Sequence, residues 1–160
     1  MIIGMEQLPS IRDKHQKDSL VFARGVYDLF HEGHLACLNW SAQQGDTLVV
    51  GVSTDERVRR RKGPSRPVIG QAGRLAIVSS IKVVDYAFLT EGGYDPQTPA
   101  SLVAAKLLRP DVVVLSNDCS PCEESVWNES LAGTGIQVLR HPEALRITST
   151  SEIIQRIKES

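Results

Sequence analysis

The sequence predicts an α/β fold, an open sandwich in which a five-stranded parallel sheet is flanked by helices. Two observations carry this reading. Continuous apolar runs rich in β-branched residues, such as TLVVGV (47–52) and DVVVL (111–115), mark strands buried on both faces. These runs alternate with stretches of helical spacing along the chain, as parallel strands joined by crossover helices require. A third observation bounds the answer: 160 residues make one domain, enough to bury roughly 70% of the surface of the unfolded chain.

The elements follow in order. Residues 1–18 form a lead, with a helix expected over 5–16 through Met5, Leu8 and Ile11, where Pro9 is tolerated only in a first turn. The globular domain is expected over 19–160. SLVFAR (19–24) is a short apolar run ending before a glycine, the first strand. Residues 33–44 carry Leu35, Leu38 and Ala42 at helical spacing and stop at Gly45, a helix-ending signal. TLVVGV is the second strand, and a helix opens after it with Asp55 as a candidate cap. A helix over 71–81, a strand over 83–89 and a helix over 99–108 follow, the last with Pro99 in its first turn. The chain closes with a strand over 111–115, a helix over 123–131, a strand over 136–139 and a helix over 151–158. Such Rossmann-like sheets bind ligands beyond the carboxyl ends of their strands, where strand order reverses. The loops to examine therefore follow Arg24, Val52, Leu115 and Leu139.

Composition narrows the function. The hydrophobic set is 41% and the net charge is −1, from 18 basic and 19 acidic residues, so disorder and bulk polyanion binding are poor readings. Six basic residues nevertheless fall within ten positions: Arg57, Arg59, Arg60, Arg61, Lys62 and Arg66. Only 5% of residues are aromatic, so this run lacks the stacking platform of a nucleic-acid surface, and no nucleic-acid partner is expected. Three cysteines, an odd number, argue for a reducing cytoplasm over a secreted disulfide framework. Neither a signal-peptide core nor a membrane-length apolar run is present, so no membrane association is expected.

The string GVYDLFHEGH (25–34) holds the most informative chemistry. Gly25 at the strand's end would let backbone amides approach a ligand, and the following helix would aim its positive end at an anion. His31 and His34 offer imidazole donors to that anion, and Gly33 leaves room for a phosphate between the rings. Neither a G-x-G-x-x-G dinucleotide pattern nor a G-x-x-x-x-G-K phosphate loop is present, and the histidine spacing is not that of a helical zinc pair.

The same string resembles the HxGH signature of the cytidylyltransferase-like nucleotidyltransferases. GDTLVVGVSTDE (45–56) is similar to the family's second strand and turn, KGPSRPV (62–68) to its K-G-x-x-R-P segment, and TSTSEIIQRI (148–157) to its closing motif. The resemblance spans roughly 20–158. The lead helix and KGPSRPV look most like the adenylyltransferase domain of bacterial ADP-heptose synthases, with glycerol-3-phosphate cytidylyltransferase and its phosphoethanolamine-specific counterpart as near rivals. Two segments depart from these patterns. SNDCS (116–120) keeps only Asp118 of a K-G-G-D-Y string, and EALRITSTS (143–151) carries its arginine two places off.

The resemblance implies transfer of a nucleoside monophosphate from ATP or CTP to a phosphorylated small molecule, with release of pyrophosphate. Adenylyl transfer to a sugar 1-phosphate is favoured, and a cytidylyltransferase or a non-catalytic nucleotide-binding module are the alternatives. His31, His34 and Lys62 would be catalytic. Gly25, Val26, Tyr27, Gly33, Thr148, Ser149 and Thr150 would hold the nucleotide. Asp28 would contact the acceptor, organise the histidine loop or cap a turn, and Asp118 would contact acceptor or ribose. Mg2+ would enter with the triphosphate, with no protein metal site, and a homodimer is implied by relatives alone. Arg74 is expected to tether helices or a dimer interface. Cys119 and Cys122 form a C-x-x-C whose default reading is two inert loop thiols, with a redox pair as the alternative.

Overall fold

The computed structural model describes residues 1–92, 100–116, 119–143 and 147–160. It contains one five-stranded sheet in the order β3-β2-β1-β4-β5, with every neighbouring pair parallel. The strands are β1 (Leu20–Gly25), β2 (Thr47–Ser53), β3 (Tyr86–Thr90), β4 (Val112–Leu115) and β5 (Gln137–Arg140). The helices are α1 (Leu8–Lys14), α2 (Glu32–Ala42), α3 (Asp55–Lys62), α4 (Gln71–Ser79), α5 (Ala100–Leu108), α6 (Pro121–Leu131) and α7 (Thr150–Glu159).

Period-two alternation within each strand builds the two core layers. Leu20 and Phe22 of β1 face one layer with Val49, Phe88 and Val113, covered by Leu8, Leu102, Leu108 and Trp127. Val21 and Ala23 face the other with Val50, Ala87 and Val114, covered by Leu38, Leu75 and Val78. Leu8 and Ile11 are buried in the first layer, and Ile3 donates its amide to Ala87, so the lead packs as part of the same core. The expected lead helix is shorter than its pattern: a 3-10 turn (Met5–Gln7) precedes α1, with Pro9 at its start.

The third strand begins at Tyr86 rather than 83, because the preceding turn is held by Val84 donating to Ile81 while the Asp85 carboxylate takes the Leu48 amide. Pro99, the expected start of the fifth helix, lies outside the described residues; the helix is described from Ala100. The order 3-2-1-4-5 reverses at β1, so the switch point lies between the carboxyl ends of β1 and β4.

Candidate active site

A cleft of about 520 Å³ opens at that switch point, a size usual for small-molecule sites. The α2 and α7 helices begin there, beside the start of α6. His31 caps α2, its Nδ1 accepting the Gly33 amide at 3.1 Å. Ser149 caps α7 in a capping box with Glu152, whose carboxylate takes the Ser149 amide at 2.8 Å. The box consumes the Ser149 and Glu152 amides, which leaves Thr150 and Ser151 as first-turn donors with no partner inside the helix.

The two helix starts are joined directly. Thr150 Oγ1 donates to the Asp28 carbonyl at 2.9 Å and lies 3.5 Å from His31 Nε2. Because Nδ1 of His31 is an acceptor, its proton belongs on Nε2 when the ring is neutral. Burial pushes the His31 imidazole below its ordinary value, and Glu32 and Glu152 offset this only in part. The ring is therefore neutral at pH 7, a donor at Nε2 without a formal charge.

The histidine rings stack, with centroids 3.8 Å apart and planes 24° apart. This corrects the expected role of Gly33: no phosphate fits between rings at van der Waals contact, so an anion can meet only their edges. The glycine has another use. A Cβ at Gly33 would stand 2.7 Å from the Thr148 carbonyl and 3.1 Å from the His31 ring, so its absence lets the 148–150 turn close on α2. Gly25 serves similarly: a Cβ there would lie 2.8 Å from Tyr27 Cζ. Tyr27 folds back over it with φ of 57°, and its ring meets His34 edge-on at 5.4 Å. Leu29 also has positive φ, at 45°. Two non-glycine residues in this region within three positions mark a loop held by its surroundings.

Asp28 supplies much of that hold. It is fully buried, and its carboxylate accepts Arg66 Nε at 2.9 Å and the amides of Val68 and Ile69, the latter at 2.9 Å. Burial raises the carboxyl pKa, but the amides of Ile69 and Val68 and the Arg66 guanidinium outweigh it and keep the group below the usual carboxylate range. The Asp28 side chain thus faces the 66–69 segment, not the cleft. Among its expected roles, organising the histidine loop is the one this geometry supports.

Arg74 works from the other side. It is fully buried and donates to Ile69 O at 2.9 Å, to Val26 O, and to Asp55 Oδ1 at 2.7 Å. The expected tether is therefore internal, linking α4, α3 and the loop after β1. Asp55 is this tether's partner rather than a cap; Thr54 caps α3, accepting the Arg57 amide.

The basic run divides by function. Arg66 is the Asp28 latch, while Arg59 and Arg60 pair with Asp55 and Glu56 one turn back. Arg61 and Lys62, at the end of α3, are exposed on the rim and line the cleft. Gly25, Val26, Tyr27, His31, Gly33, His34, Thr148, Ser149 and Thr150 line it too. Asp118 lies outside the described residues.

The sequence reading did not single out Arg24, Ser116, Glu123 or His141, all in the cleft wall. Arg24 pairs with Glu123 and lies over the Trp127 ring at 5.4 Å. A charged residue closing an otherwise apolar strand at the ligand edge was the available signal for Arg24, and a histidine just past the fifth strand was the signal for His141. Burial and the Glu123 carboxylate push the Cys119 thiol up to about 11, the state of an inert thiol. Among the described residues no group of three or more His, Cys, Asp or Glu could hold a metal ion, and no helix is long and apolar enough to cross a membrane.

The fold and this cleft define a Rossmann-like α/β protein whose switch point brings together the α2 and α7 starts, paired imidazoles and rim cations. Comparison with known proteins gives the family. The family model described as cytidylyltransferase-like matches residues 22–156. The bifunctional protein HldE of Hydrogenovibrio crunogenus is 36% identical over 147 residues, 89% of this chain and 28% of that protein. HldE of Campylobacter curvus is 34% identical over 159 residues, 99% of this chain and 31% of that protein. The chain thus spans under a third of the length of these relatives. The crystal structure of the lipopolysaccharide core biosynthesis protein from Thermoplasma volcanium is similar, with TM-score 0.64 and 31% identity over 78% of this chain and 97% of that one. The chain belongs to the cytidylyltransferase-like family and is a nucleotidyltransferase.

Proposed function

We infer that this enzyme transfers a nucleoside monophosphate from a nucleoside triphosphate, ATP in preference to CTP, to a sugar 1-phosphate or a related phosphorylated small molecule. The observation that carries the reading is the convergence of the α2 and α7 starts, His31, His34 and Lys62 on one switch-point cleft. The preference for adenylyl transfer rests on the HldE relatives together with the resemblance of KGPSRPV to the ADP-heptose synthase domain.

An oxygen of the acceptor phosphate attacks the α-phosphorus in line. The new P–O bond forms as the bond from the α-phosphorus to the bridging oxygen breaks, and pyrophosphate carries away the electron pair. No covalent enzyme intermediate is needed, so positioning and charge stabilisation supply the catalysis. His31 Nε2–H and His34 donate to phosphate oxygens from their ring edges. The α2 and α7 starts add backbone dipoles, and Lys62 adds a mobile charge from the rim. Magnesium, when bound with the triphosphate, neutralises phosphate charge; phosphate oxygens and water suffice as its ligands. Asp28, Arg66 and Arg74 touch no reacting atom in this scheme and hold the loop that does.

The test is pyrophosphate release with ATP or CTP, magnesium and a panel of sugar and polyol phosphates. Release that requires all three components supports the reading. Nucleotide binding without turnover on any acceptor would favour a non-catalytic module instead.

A further inference from the structure

We propose that His141 recognises the nucleobase of the bound triphosphate, its Nε2 hydrogen-bonding the polar edge of the base. This rests on the functional reading above and adds to it a residue that determines nucleotide specificity.

His141 follows β5 and is only 3% exposed, yet it is among the residues that line the cleft. Its position is fixed: its amide donates to Leu115 O at 2.8 Å, and its ring meets Trp40 edge-on at 5.5 Å. Its Nε2 is buried and has no hydrogen-bond partner among the described residues. Buried polar side-chain atoms are nearly always paired, and one left over in a ligand cleft is matched to something the ligand brings.

The layout of charge along the sheet edge identifies that part of the ligand. Arg61 and Lys62 come from the helix after β2, and the histidine pair opens the helix after β1, where it meets the α7 start. Past β5 the Glu143 carboxylate acts on the His141 ring, whereas Glu123, at the start of α6, is paired with Arg24 and lies 4.0 Å from Arg61. The Glu143 carboxylate and a buried imidazole offer no cation to a phosphate, so this side of the cleft suits the uncharged, flat portion of the nucleotide, the base. The imidazole matches it. Burial holds His141 below its ordinary pKa, with Glu143 offsetting only in part, so the ring is neutral. A neutral Nε2 presents either one N–H or one lone pair, which are the groups that purine and pyrimidine edges complement.

The experiment measures dissociation constants by calorimetry for ATP, CTP, GTP, UTP and inorganic tripolyphosphate, each with magnesium, on the wild type, His141→Ala and His141→Phe. The phenylalanine keeps a ring against Trp40 without the polar atom and controls for packing. Both variants are expected to bind the preferred nucleotide at least about tenfold more weakly, equivalent to about 1.4 kcal/mol, with tripolyphosphate unchanged. Discrimination among the four bases should narrow in parallel. Unchanged nucleotide affinity in both variants, or an equal loss for nucleotide and tripolyphosphate, overturns the base contact while leaving the functional reading intact. A wild type that binds none of the four nucleotides overturns both.

Discussion

His31 Nε2 lies 3.5 Å from Thr150 Oγ1, so the first helix after β1 and the last helix of the chain meet at one imidazole edge. Residues 119 positions apart thereby share one site, with the Asp28 carbonyl accepting the threonine hydroxyl. In the proposed mechanism, catalytic competence depends on that junction and on the groups that hold it.

Substitution of either histidine tests the junction's chemistry. His34→Ala and His31→Ala are each expected to lower kcat by about 10²- to 10³-fold, the usual cost of losing one preorganised donor. Circular dichroism and the melting temperature should stay close to wild type for His34→Ala. His31→Ala also loses the α2 cap, which adds about 1 kcal/mol of destabilisation. Turnover unchanged in both would remove the mechanism.

Gly33→Ala tests the closeness of the two helix starts. A methyl group 2.7 Å from the Thr148 carbonyl forces α7 away from α2. Overpacking of this kind costs about 1–3 kcal/mol. Steady-state kinetics should show kcat falling more steeply than the melting temperature predicts, since the His31–Thr150 contact opens. A variant with wild-type kcat would mean that the two helix starts need not touch.

Asp28→Ala strands the Arg66 guanidinium and leaves the Val68 and Ile69 amides without their acceptor. Urea unfolding should report a loss of about 3–5 kcal/mol, as for other broken buried ion pairs. Arg66→Ala should lose less, because the Val68 and Ile69 amides still hold the carboxylate. In a stable background, Asp28→Asn should lower kcat with little change in KM for the acceptor, the pattern of a positioning residue; a large rise in acceptor KM alone would instead make Asp28 an acceptor contact.

The pH dependence of stability follows from two histidines and one aspartate. His31 and His141 are both held below the ordinary histidine value of about 6.5. Between the lowered folded values and 6.5 the unfolded chain binds more protons, so stability falls as pH drops through this window. Asp28 adds a second loss further into acid: its depressed folded pKa contributes stability above the unfolded carboxyl value, lost as pH falls through the folded one. Thermal melts from pH 8 to 3 should decline in those two stages, and replacing His141 by Phe should shrink the first.

Cysteine labelling tests the inert-thiol reading. Cys122 is exposed on α6, whereas Cys119 is buried with its thiol raised to about 11. Alkylation at pH 8 followed by peptide mass spectrometry should modify Cys122 first, with Cys119 reacting only on unfolding.

The sheet was legible in the sequence because its strands are short apolar runs buried on both faces, as in Val49 and Val50, and that pattern survives any detail of packing. The histidine loop and the 148–150 turn were legible because short motifs carry them. What the sequence did not reveal were relations between distant residues. Asp28 and Arg66 are 38 positions apart, and only the fold shows that one latches the other. The stacking of His31 on His34, which shuts out a phosphate between the rings, depends on the His31 cap geometry rather than on spacing. Arg24 and His141 sit at the carboxyl ends of β1 and β5, but what faces them depends on the fold.

The central claim is nucleotidyl transfer at the His31–His34 cleft, and its most direct measurement is pyrophosphate release by the wild type and His34→Ala with ATP or CTP, magnesium and the acceptor panel. The account predicts release that needs triphosphate, metal and a phosphorylated acceptor together, reduced by at least about 10²-fold in the variant. Absence of release across the panel, or equal rates for the two proteins, would contradict it.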